Sequence, residues 1–104
     1  MTDYFDSKDP TEKIVLTFDM TLGLATGETL TGAPVVSIFT ASGTDPTPTA
    51  VLTGANALDA TSKKVLVGVQ AGVLGCAYDV KVVVSTSNAQ KVLALSGILP
   101  VVGD

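Results

Sequence analysis

The chain has 104 residues, enough for one hydrophobic core and too few for two domains. Charged residues make up 15% of it, against about 25% in ordinary soluble domains. Its polar share rests on Thr, Ser and Gly, a composition of short strands and turns rather than helices. A net charge of −4, with six lysines and no arginine, leaves no basic footprint for phosphate and so excludes nucleic acid as a partner. Without His or Trp the usual general base, most metal sites and a stacked-indole sugar platform are missing. Cys76 is alone and cannot form an internal disulfide, which fits synthesis in a reducing cytoplasm. The acidic opening "MTDYFDSKDP" does not read as a secretion signal, and no apolar run approaches the roughly 20 residues of a membrane helix. The expectation is a soluble protein with no membrane partner.

Residues 1–12 read as an extended, acidic N-terminal arm in which Tyr4 and Phe5 are embedded. From Lys13, "KIVLTFDM" alternates Ile14, Leu16, Phe18 and Met20 with more polar residues, the period of a strand with one side inward. "GLATGE" is a turn. "TLTGAPVVSIF" is a second extended stretch, where Pro34 marks an edge or a bulge, and "TASGTDPTPTA" is the clearest loop. "AVLTGA" is a short strand candidate, and "NALDATS" reads either as a loop or as one helical turn capped by Asn56 or Asp59. "KKVLVGVQ" sets Val65, Val67 and Val69 on one side. "CAYDVKVVVST" sets Cys76, Tyr78, Val80, Val82 and Val84 on one side and Ala77, Asp79, Lys81 and Val83 on the other. After the turn "TSNAQ", "KVLALSGILPVV" is the last strand, expected to break or bulge near Gly97.

These segments predict an all-β fold, an immunoglobulin-like antiparallel β-sandwich of about six to eight strands over residues 13–104, preceded by the arm. "VLGCAYDVKV" is similar to the start of the penultimate strand in immunoglobulin-like and fibronectin type III domains. There a tyrosine hydroxyl turns back to nearby backbone, so Tyr78 has two readings: that structural corner, or a packed ring with its hydroxyl in water.

No constellation for catalysis emerges. Asp3, Asp6, Asp9 and Glu12 recur every three residues, but Pro10 interrupts any helix that would align them, and no glycine-turned calcium loop is present. They read as a solvated or partner-facing arm, with no metal and no cofactor. Cys76 has no histidine base and lies on an inward face, the place of a small buried hydrophobe. Asp79 and Lys81 read as surface charges, and Lys63 and Lys64 as guards of a sheet edge. "GLATG" and "QAGVLG" lack the lysine and the strand-to-helix setting of a phosphate loop. The expectation is a protein that is not an enzyme.

Two stretches together resemble the bacteriophage fiber-tail adaptor proteins, a family of small virion proteins. "FDSKDPTEKIVLTFDM" is similar to the family's opening through Lys8, Asp9, Pro10, Glu12, Phe18 and Asp19. "AGVLGCAYDVKVVVSTSNAQKVLALSGILPV" is similar to its Ala-Gly, Tyr-x-Val strand and final strand. Met20 stands where the family often has Trp, and the middle from about Gly32 to Ser62 matches only in turn placement. The resemblance implies an immunoglobulin-like structural protein of a tailed phage virion, made in the host bacterial cytoplasm and present in several copies of a symmetric assembly. Its partners would be other virion proteins of the tail, head–tail connector or fiber, with no cofactor. A capsid decoration protein bound to the major capsid protein is an alternative on the same scaffold. A carbohydrate- or cell-surface-binding module is another, though two Tyr and no Trp make a poor stacking platform.

The expected partner-binding residues lie at both ends of the chain: Tyr4, Phe5, Lys8, Asp9, Pro10 and Glu12 in the arm, and Ile98, Leu99, Val101 and Val102 near the other terminus. Apolar ends on a surface poor in charge point to covering by neighbours. An acidic arm carrying aromatics suits a segment that lies across one of them.

Overall fold

Branched apolar residues at alternate positions can bury one side of an extended chain and leave the other to water, and such segments build this molecule. The computed structural model describes residues 2–5 and 7–102. Its strands are β1 (Thr2–Tyr4), β2 (Ile14–Asp19), β3 (Leu30–Ser42), β4 (Leu52–Leu58), β5 (Lys64–Val69), β6 (Ala77–Thr86) and β7 (Val92–Pro100). Short 3-10 turns occupy Thr21–Gly23 and Pro48–Val51. Among the described residues no helix is long and apolar enough to cross a membrane.

The fold is all-β, with a four-stranded sheet in the order β1-β7-β6-β3 and a three-stranded sheet in the order β2-β5-β4. Every pairing is antiparallel except that of β1 with β7. Leu16 and Phe18 of β2 and Val65, Val67 and Val69 of β5 meet Tyr78, Val80, Val82 and Val84 of β6 in one core. Each of the β5 and β6 residues in that set is at most 1% exposed.

The edges are irregular where the sequence signals it. β3 shifts register between Thr31 and Val35, where Gly32 has a positive φ and Pro34 lacks an N–H, and again between Thr40 and Ser42. β4 starts after the Pro48–Val51 turn, later than "AVLTGA" suggests, and shifts between Leu52 and Asn56, where Gly54 also has a positive φ. "NALDATS" divides: Asn56–Leu58 finishes β4, and Asp59 organises the turn. The Asp59 carboxylate accepts from the Lys63 and Lys64 N–H groups, both at 3.0 Å, and from the Thr61 hydroxyl at 2.6 Å. Those bonds, the Thr61 hydroxyl foremost, draw its pKa down to about 2. Lys64 opens β5, which is the middle strand of its sheet, so it guards no edge.

Gly97 does not break β7. The register with β6 runs without a shift from Ser85–Val92 to Ala77–Pro100, and Gly97 sits opposite Val80. What Gly97 supplies is room: a Cβ built there would lie 2.4 Å from Cε2 of Phe5.

Tyr78 is fully buried, and its hydroxyl ties two loops together. It accepts from the Val73 N–H at 2.8 Å and donates to Asp45 Oδ2 at 2.7 Å. Burial first, then the Asp45 carboxylate, pushes the phenol up to about 12. Tyr78→Phe strands a backbone N–H and a carboxylate, so denaturant titration is expected to show a loss of about 1–3 kcal/mol. Because the folded phenol holds its proton above the ordinary value of 10.0, wild-type stability falls as pH rises from 10.0 toward about 12. The variant is expected to lack that fall.

Candidate docking surfaces

The N-terminal segment lies along its own domain. β1 pairs with Ser96–Ile98 of β7, Phe5 N–H donates to Ile98 O at 2.8 Å, and Lys8 exchanges backbone bonds with Pro100 O and Val102 N–H at 3.0 and 2.9 Å. The Phe5 ring meets Phe18 edge-on, centroids 5.1 Å apart, and fills the space left by Gly97. Lys8, expected in a partner-facing arm, turns its side chain inward. Its side chain is 0% exposed, and Nζ donates to Asp9 O at 2.7 Å and Ala71 O at 2.6 Å. Desolvation lowers its pKa against the pull of Glu12 and Asp9. A lysine is the side chain least expected inside, yet two backbone carbonyls accept hydrogen bonds from its ammonium.

Asp9 and Glu12 close a turn on each other around Pro10. Asp9 N–H donates to Glu12 Oε1 at 2.7 Å, Glu12 N–H donates to Asp9 O at 3.0 Å, and Asp9 Oδ1 accepts from the Thr11 N–H at 2.8 Å. Tyr4 pairs through its backbone with Ile98, and its side chain lies outside the described residues, as does all of Asp6. Among the described residues no cluster of three or more His, Cys, Asp or Glu could hold a metal ion. Cys76 is buried, with its thiol against Thr44 O.

At the other terminus, alternation splits the four expected residues. Leu99 and Val101 are 0% exposed and belong to the core, so they present no side chain to a neighbour. Ile98 stands on the outer face of the four-stranded sheet, and Val102 is partly exposed.

That outer face is the more extended apolar surface. One row runs Val35, Val83, Ala94 across β3, β6 and β7, the next is the polar row Ser37, Lys81, Ser96, and a third runs Phe39, Asp79, Ile98. Val35 is 67% and Phe39 55% exposed. Asp79 Oδ1, screened between its neighbours, has no hydrogen-bond partner. The sequence placed Val83 on the outward side of its strand but did not single out Val35, Phe39 or Ala94. The outward set of β3 was nonetheless present in the alternation "VVSIF". A second apolar corner joins the fully exposed Leu22 to a groove of about 220 Å³ lined by Met20, Leu93 and Leu95. Lys91 bridges to the buried Glu28 at 2.7 Å, which holds that carboxyl below its usual range.

A family model described as podophage GP4 fiber-tail adaptor protein gp77 matches residues 8–97. The chain belongs to this adaptor family. No curated protein and no solved structure matches it. The adaptor match begins at the buried Lys8 and ends at Gly97, so both residues that fasten the N-terminal segment lie within it, together with all of β2–β6. The family is one of phage structural proteins, which places this chain with the virion and with other tail proteins, and points away from catalysis.

Proposed function

We propose that this chain is a non-enzymatic adaptor of a tailed phage virion, docking tail fibers or neighbouring tail and head–tail proteins. The observation that carries the reading is the adaptor-family match over residues 8–97. The sandwich is immunoglobulin-like: a three-stranded sheet faces a four-stranded one, and a buried tyrosine at the start of the penultimate strand bonds backbone five residues upstream. Several copies are arranged symmetrically in the particle, after synthesis in the host cytoplasm.

The docking surface in this reading is the outer face of the four-stranded sheet. The exposed Val35 and Phe39 stand on either side of the polar row Ser37, Lys81, Ser96, with Asp79 between Phe39 and Ile98, so apolar contact would supply affinity and polar groups would fix register. Ile98 is the residue expected from the sequence that falls on this face.

The test replaces Val35 and Phe39 together by aspartate in the parent phage. Both side chains are more than half exposed, so circular dichroism of the purified chain is expected to match wild type. Particles are expected to lose fibers. Particles with a full set of fibers would remove this face from the proposal, and cryo-EM particles without the chain would remove the adaptor reading itself.

A further inference from the structure

Four sheet edges are described, and three carry features that discourage pairing. β1 is three residues long, while β3 and β4 are interrupted by register shifts and positive-φ glycines. The fourth edge, β2, differs. Its six residues match β5 one for one from Ile14–Val69 to Asp19–Lys64 without a shift, and the strand contains neither Gly nor Pro. No hydrogen bond among the described residues reaches its free side, Val15 is 63% exposed, and a groove of about 280 Å³ runs along it past Phe5. A regular, uncovered ladder is a template for another strand.

The charges at the last residue of β2 and just before its first say which strand fits. Lys13, Val15, Thr17 and Asp19 are exposed, whereas Leu16 and Phe18 are buried. A second β2 laid antiparallel must keep buried side beside buried side, so only registers that oppose residues of like parity qualify. Centred on Leu16, Val15 lies opposite Thr17 of the second copy and Lys13 opposite Asp19, twice over by the two-fold. Centring on Val15 or Thr17 instead leaves both charges opposite uncharged residues.

We propose that two copies of this chain associate through antiparallel β2–β2 pairing centred on Leu16, joining their three-stranded sheets into one six-stranded sheet. The contact is isologous, and it closes on itself rather than propagating into a fibre. It concerns the isolated chain in solution and stands whether or not the adaptor reading holds.

The experiment is sedimentation velocity over a concentration series. Wild type is expected to show a reversible monomer–dimer equilibrium. Lys13→Asp sets Asp against Asp19, and Asp19→Lys sets Lys against Lys13, so each alone is expected to raise the dissociation constant by about tenfold or more. An equimolar mixture of the two variants restores both opposite-charge pairs and is expected to recover the dimer as a heterodimer. A wild type that stays monomeric throughout, a dimer that neither variant weakens, or a mixture that does not recover would each overturn the pairing. Asp19 also accepts from the Thr21 N–H, so a thermal melt accompanies that variant. Should it fail to fold, Lys13→Asp decides alone, and an unchanged dimer there overturns the proposal.

Discussion

Lys8→Ala is expected to cost about 2–5 kcal/mol of folding stability, more than any surface charge in this chain. The side chain is wholly enclosed, so truncation empties the space of its methylenes and leaves the Ala71 and Asp9 carbonyls without their ammonium donor. Lys8→Met separates the two contributions. It refills the stem's volume without a donor or a charge, and it relieves the desolvation that lowers the lysine pKa, so its loss is expected to be less than half that of alanine. The pH dependence has a definite sign. The unfolded chain holds this proton at the ordinary 10.5 and the folded one lets it go earlier, so wild-type stability gains as pH rises through that interval. Lys8→Met lacks the gain. Denaturant titrations at neutral and alkaline pH check both statements. Equal losses for the two variants would mean that the donor, not the packed stem, is what the site requires.

The same residue shows where sequence reading stops. The strands were legible because alternation is a local signal: "YDVKVVV" buries one side, and "KVLVGV" buries Val65, Val67 and Val69 on one side with only Gly68 buried on the other. Lys8 was not legible, because a lysine in an acidic, proline-marked segment has a solvated face as its default, and only tertiary structure brings Ala71 O to its Nζ. How the N-terminal segment is held was not legible for the same reason. The backbone bonds of Phe5 and Lys8 run to β7 and its continuation, far along the chain. Leu99 and Val101 are a different matter. Stepping by two from Leu93 through Leu95 separates them from Ile98 and Val102, so their burial was readable from the alternation that identified the strand. The outer-face residues Val35 and Phe39 were readable in the same way. Which sheet face is left uncovered, by contrast, depends on how the sheets pack.

Gly97→Ala is expected to cost about 2–4 kcal/mol, an unusual penalty for adding a methyl group to a strand. In most strands this substitution is neutral or favourable, because alanine gives up less backbone freedom on folding than glycine. Here the added carbon would stand 2.4 Å from Cε2 and 3.0 Å from Cζ of Phe5, so the ring has to leave. With it go the edge-on contact to Phe18 and the anchoring of the segment that carries β1. A double-mutant cycle isolates this cause. Phe5→Ala alone is expected to cost a comparable amount. On the Phe5→Ala background the obstacle is gone, so Gly97→Ala is expected to cost under about 1 kcal/mol or to stabilise. Chemical denaturation of the four proteins measures the coupling. Strictly additive losses would show that Gly97 serves β7 itself, and that the N-terminal segment is held by its backbone bonds and Lys8 rather than by the Phe5 ring.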